Sequence, residues 1–130
     1  MPDVVFDSWA WVEVLEGTAV GKGLWRKYGE SGSVHTSAIG LAEVGSKALR
    51  QYGDASKTDA IVRRIETASV MHAVEPEDAT CGVRTHVELR KRAKDASLAD
   101  AIHLCTAQRL GFTLISGDPA FRGRKDVRRT

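Results

Sequence analysis

Apolar residues fall along this chain in two alternating kinds of run. Short β-prone stretches at Val4-Val5-Phe6, Ser33-Val34-His35-Thr36 and Phe112-Thr113-Leu114-Ile115 each end in small or polar residues, as buried strands do. Between them the pattern predicts helices near Ser8 to Glu16, Thr18 to Glu30, Ala38 to Tyr52, Ala55 to Ala68, Pro76 to Arg92 and Leu98 to Leu110. Gly17, Gly53 and Gly111 each follow an apolar-periodic segment and read as helix stops, and Pro76 suits the first turn of its helix. Strands alternating with helices of this length predict an α/β domain in which helices cover a short, largely parallel sheet.

In such a sheet the carboxyl ends of the strands share one edge. Asp7, Glu43, Asp100 and Asp118 each stand where a strand gives way to a helix or turn, or early in a helix that begins there. The fold would therefore collect four carboxylates in one place, with no cation in the sequence placed to pair with them. A divalent metal is the simplest resolution. Each acid also has a plainer reading. Asp7 and Asp118 suit N-cap positions, Asp118 being followed by Pro119, and Asp100 stands three residues after Ser97 as in a capping box. Glu43 suits a solvated helix face. Capping does not account for the surroundings of Asp100, because small or apolar residues point in nearly every direction around Leu98 to Ala107. A carboxylate on a buried helix takes up a proton, finds a cation or binds a metal. The apolar neighbours of Glu43, among them Ile39, Leu41, Val44 and Ala48, raise the same question.

At 130 residues and 42% hydrophobic content, the chain is long enough for one real core and too short for two ordinary domains. No apolar run reaches the length of a membrane span. Asp3 and Asp7 replace the basic start of a secretory signal, so the expected setting is cytoplasmic and free of membrane. Cys81 and Cys105 lack metal-binding spacing and lie in apolar-flanked helices. Two buried free thiols are expected, with a disulfide between the last two long helices as the alternative.

Charge changes the picture only after the four acids are set aside. The 19 Lys and Arg against 17 Asp and Glu then become 19 against 13, an excess that favours a polyanionic partner. Arg122, Arg124, Lys125, Arg128 and Arg129 cluster at the chain end, and Arg90-Lys91-Arg92-Lys94 form a second group. Arg124, Lys125, Arg128 and Arg129 are the candidate contacts to such a polyanion, against the plainer reading of a solvated end.

Four fragments together resemble the PIN domain family. They are Val4-Val5-Phe6-Asp7-Ser8, Thr36-Ser37-Ala38-Ile39-Gly40-Leu41-Ala42-Glu43-Val44, Ser97-Leu98-Ala99-Asp100-Ala101-Ile102-His103 and Thr113-Leu114-Ile115-Ser116-Gly117-Asp118-Pro119-Ala120-Phe121, in the family's order. The likeness spans the chain, and the small size is similar to VapC-type toxins of prokaryotic toxin–antitoxin pairs. The resemblance implies a three-layer α/β/α sandwich with a central, mainly parallel sheet, and a Mg²⁺- or Mn²⁺-dependent endoribonuclease. It implies Asp7, Glu43, Asp100 and Asp118 as the catalytic, metal-binding acids, with Ser8 and Ser116 as supporting residues. RNA, a cognate antitoxin and a second copy of the chain are the implied partners. Two departures bear on cleft shape and substrate choice. Trp9 and Trp11 follow Asp7 where many members carry smaller or aliphatic residues, and Gly117 separates Ser116 from Asp118 as in only part of the family.

The chemistry implied is hydrolysis. Carboxylate oxygens suit hard cations, which activate water and offset charge on a phosphodiester, so the RNA 2′-hydroxyl is not the nucleophile. One ion or two are both compatible with the sequence. His103 lies one turn after Asp100, within reach of the site, while no nucleophile elbow supports a Ser-His-Asp hydrolase. Trp9, Trp11 and Trp25 suit packing, with base stacking by Trp9 as the alternative. Two further classes compete. A binding module of the same fold would not require the intact set of acids. A receiver-type or phosphatase-like domain requires an acidic pair where Asp7 is followed by Ser8.

Overall fold

The structure, a computed structural model, describes residues 2–128. Strand β1 (Val4–Phe6) leads into helices α1 (Ser8–Glu16) and α2 (Ala19–Leu24), the latter ending in a π-helical turn at Trp25–Gly29. Then come β2 (Val34–Ser37), α3 (Ala38–Tyr52), α4 (Ala55–Ala68), β3 (Val70–His72), α5 (Pro76–Arg92), α6 (Leu98–Leu110), β4 (Thr113–Ile115), a 3-10 turn at Pro119–Phe121 and β5 (Val127–Arg128). The strands form one sheet in the order β3-β2-β1-β4-β5, with every neighbouring pair parallel.

The inner strands are buried on both faces, as a parallel sheet between helices must be. Because side chains alternate, Val4, Phe6, Val34 and Ile115 pack with Trp11, Leu24, Tyr28, Val44 and Ile65 on one side. Val5 and Leu114 pack with Leu89, Leu104, Phe121 and Val127 on the other. The result is the expected α/β/α sandwich.

Local chemistry explains the element ends. Side chains of Asp7, Thr18, Ser37, Asp54 and Ser97 accept the first free amides of α1, α2, α3, α4 and α6. Gly17, Gly53 and Gly111 end α1, α3 and α6 in the left-handed conformation. The helix expected over Thr18 to Glu30 is instead a short α-helix that widens into the π turn. Two strands, β3 and β5, fall outside the sequence pattern.

One expectation is corrected. Cys81 and Cys105 are not free thiols; they form a disulfide joining α5 to α6. Their Cα atoms are 6.0 Å apart, within the span a disulfide bridges. Gly82 permits that closeness, since a Cβ there would lie 2.7 Å from Ile102 Cγ1. A further pair ties the same helices: Asp78, buried in the first turn of α5, accepts from Arg109 Nε at 2.8 Å and Arg109 Nη2 at 3.1 Å.

Candidate active site: an acidic cleft at the carboxyl edge of the sheet

Strand β1 lies between β2 and β4, so the chain departs in opposite directions around its carboxyl end and leaves a crevice there. Asp7 follows β1, Asp118 follows β4, and α3 springs from β2 carrying Glu43. Helix α6 precedes β4 and runs against it, which brings Asp100 in its first turn to the same edge. All four acids line one cleft of about 480 Å³.

Their environments differ. Asp7 is 4% exposed. Burial pushes its carboxyl up to about 6, against hydrogen bonds from the Ser116 hydroxyl and the Ala10 amide, and the Asp100 carboxylate adds to the rise. Asp100 is also raised, first by burial and then by the Asp118 and Glu43 carboxylates, despite its bonds to Ser97. Glu43 goes the other way. Burial opposes its ionisation, but the bond from His103, Lys47 one turn on and the Ser8 hydroxyl outweigh it and hold the carboxyl below its ordinary range.

The polar neighbours form a scaffold. His103 Nε2 donates to Glu43 Oε1 at 2.6 Å, and His103 Nδ1 lies 3.2 Å from Ser37 Oγ. Gly40 makes room for that ring, since a Cβ there would stand 3.0 Å from His103 Cε1. Ser116 Oγ accepts the Asp118 amide at 3.1 Å, and Ser116 stands near enough to Asp7 to favour its ionised form. Ser8 lines the cleft beside Glu43, and Ser116 stands beside Asp7.

Capping and cleft-lining prove compatible in one side chain. Asp7 Oδ1 caps Ala10, Asp118 Oδ1 caps Ala120, and Asp100 Oδ2 accepts from Ser97 N, with distances of 2.9, 2.9 and 3.0 Å.

Two cleft residues escaped the sequence reading. Asp95, in the loop before α6, adds a fifth carboxylate, and Lys47 is the one basic side chain of the lining among the described residues. Lys47 was detectable as the residue four after Glu43 on α3; Asp95 carried no signal. The basic end lies elsewhere. Arg124 is held by Asp126 through Nε and Nη2, Arg128 Nη1 donates to Tyr28 Oη at 3.2 Å, and Lys125 lies in a separate pocket with Arg92 and Arg124. Arg129 is outside the described residues.

The donor set suits a hard divalent cation. Asp7, Asp100 and Asp118 offer carboxylate oxygens, and none of the three makes an ion pair among the described residues. The side chains flank the cleft rather than close on a point: no group of three or more His, Cys, Asp or Glu among the described residues has the disposition of a metal centre.

Comparison with known proteins agrees with this architecture. The profile of the PIN domain matches residues 4–126. A chain of a toxin–antitoxin complex from Klebsiella pneumoniae superposes with a TM-score of 0.72 at 22% identity, covering 97% of this chain and 96% of that one. VapC20 of Mycobacterium tuberculosis, described as a sarcin–ricin loop cleaving toxin, gives 0.71 at 21% identity, with 97% and 99% covered. A chain of the DNA-bound VapBC complex of Salmonella typhimurium gives 0.73 at 13% identity, with 98% and 96% covered. No protein of curated function matches the sequence.

Proposed function

The chain belongs to the PIN domain family, and from that premise we propose that it is a divalent-metal-dependent endoribonuclease, the toxin of a toxin–antitoxin pair. One observation carries the reading: among the described residues, five carboxylates line a single cleft against one lysine. A polyanion would be repelled from such a site unless a cation entered first. Asp7, Glu43, Asp100 and Asp118 are the residues that would hold Mg²⁺ or Mn²⁺. When bound, the ion supplies activation of the attacking water and offsets charge on the phosphodiester.

The chain's own groups do the rest. Ser116 holds the Asp118 amide beside Asp7, and His103 fixes Glu43. Lys47, exposed beside Glu43, is placed to hold a phosphate of the incoming strand. Arg124, Lys125 and Arg128 would add a basic surface apart from the cleft, where counterion release strengthens binding without regard to sequence, and Arg129, outside the described residues, is a further proposed contact.

Similarity to chains from toxin–antitoxin complexes supports an antitoxin partner. A groove of about 420 Å³ between α1, α2 and α4 suits it. Trp11, Val14, Leu15 and Trp25 line its floor, and Lys22, Arg26 and Arg64 its rim, which fits an amphipathic helix with acidic flanks.

The test is cleavage of single-stranded RNA with Mg²⁺ or Mn²⁺ by wild type and by Asp100→Asn, a change that keeps side-chain volume. Wild type should cleave, and the variant should be folded and inactive. Cleavage at the wild-type rate by Asp100→Asn would refute the site.

A further inference from the structure

The three tryptophans occupy three different environments. Trp11 is buried, meets Phe6 edge-on and donates its ring N–H to Thr36 Oγ1 at 2.9 Å, so it belongs to the core. Trp25 lines the groove between α1, α2 and α4. Trp9 is only partly buried and lines the acidic cleft, two residues from Asp7 in the first turn of α1.

Its ring rests against Gly117. The three atoms nearest to a Cβ built at 117 all belong to the six-membered ring of Trp9, close enough that any side chain there would displace the indole. The two departures from the common family pattern therefore meet in space: the glycine is the seat of the tryptophan. That seat lies between Ser116 and Asp118, whose amide donates to Ser116 Oγ, so the indole rests on the segment that carries one of the acids. A ring fixed in this way loses little freedom when something stacks on it.

We propose that Trp9, seated on Gly117 at the cleft, is a stacking platform for one unpaired nucleobase of the RNA substrate, adjacent to the phosphate that undergoes cleavage. The inference rests on the ribonuclease reading and adds the substrate class. Among the described residues no other aromatic side chain lines the cleft, whose remaining lining is dominated by carboxylates that repel phosphate and offer a base no π surface. Stacking is tolerant of base identity, because every base has a π face. The platform therefore selects for an accessible base more than for a sequence: single-stranded segments and loops, whose bases can be splayed out, and not duplex.

The experiment is a cycle between ring and base. In the Asp100→Asn background, a short single-stranded RNA carrying one abasic nucleotide at each position in turn is titrated against Trp9, Trp9→Leu, Trp9→Phe and Gly117→Ala proteins, each checked for a cooperative melt. One abasic position should weaken binding to the Trp9 protein by roughly 5- to 150-fold, the range spanned by base–aromatic stacking. The penalty should vanish in Trp9→Leu, survive in part in Trp9→Phe, and shrink in Gly117→Ala, where the indole remains but loses its seat. Gly117→Ala also decides the matter if Trp9→Leu does not fold. An abasic profile unchanged by Trp9→Leu or by Gly117→Ala would overturn the platform. Cleavage of the unmodified RNA by the wild-type chain with Mn²⁺ is scored in parallel: activity with an unchanged profile removes the platform alone, whereas a Trp9-dependent penalty without activity keeps the platform and removes the ribonuclease reading.

Discussion

Asp7 and Asp78 are both buried, at 4% and 1% exposure, and their surroundings are opposite. Asp78 sits in the seam between α5 and α6, where Arg109 grips both oxygens and the amide of Glu75 adds a third bond. Burial opposes its ionisation, but those bonds prevail and hold the carboxyl below its ordinary range. Asp7 sits at the carboxyl edge of the sheet with hydrogen bonds but no ion pair, and burial raises it to about 6. One helix serves both regions: α6 carries Asp100 at its cleft end and Arg109 at its seam end. In the seam the buried acid is paired, and a disulfide joins the two helices, an arrangement that serves stability. In the cleft, Asp7, Asp100 and Asp118 make no ion pair among the described residues, which fits the cation site proposed for them.

The contrast can be broken first at the seam. Asp78→Ala removes the capping box of α5 and leaves Arg109 without its partner, so the melting temperature should fall by on the order of 10 °C, the largest change expected here. RNA cleavage below the new melting temperature should be unaltered. Loss of cleavage in the folded variant would mean that the two regions are coupled.

At the cleft the sign should reverse. Asp7 has a folded value raised to about 6 from 3.8, so the folded state binds more protons between those values and loses stability as pH rises through that window. In chelator at pH 7, Asp7→Asn, which keeps an amide-capping oxygen, should be more stable than wild type by on the order of 2 to 3 kcal/mol. The gap should close toward pH 4. Denaturant melts of both proteins across that range measure it, and a less stable variant at pH 7 would show that Asp7 acts chiefly as a cap.

The smallest effect belongs to the basic end. Arg124 is already paired with Asp126 and Arg128 with Tyr28, so replacing Arg124, Lys125 and Arg128 with Ala should weaken RNA binding modestly. The salt dependence should flatten by up to about 0.7 in slope for each phosphate that these side chains neutralise. Parallel salt titrations of equal affinity would leave Lys47 and the Arg90 to Lys94 group as the remaining track.

Five helices, α1, α3, α4, α5 and α6, have the bounds the pattern predicts, and α4 and α5 do so with a signal only at their start. Helices α1, α3 and α6 run from an Asp or Ser cap to a left-handed glycine. Strand β3 was invisible because Val70–His72 is a three-residue edge strand, partly exposed, directly after a helix. Strand β5 was hidden because its two residues, Val127 and Arg128, stand within a run of charge. The disulfide stood only as the alternative to free thiols because a separation of 24 residues on two helices has no local signature. Within the cleft, acids at strand ends could be placed together by topology alone. The grip of His103 on Glu43 depends on the space at Gly40, and the seating of Trp9 depends on Gly117; such close approaches arise only when helices and loops have packed.

The central claim is that the cleft is completed by a divalent ion held on its carboxylates. Calorimetric titration with Mn²⁺ at pH 7 tests it most directly, on wild type, Asp7→Asn, Asp100→Asn and, as a control from the seam, Cys81→Ser. Wild type and Cys81→Ser should bind alike, and each Asp→Asn change should weaken binding by at least about tenfold, the lower end of what loss of a supporting residue already costs. No binding by wild type, or equal affinity in the cleft variants, would contradict the account.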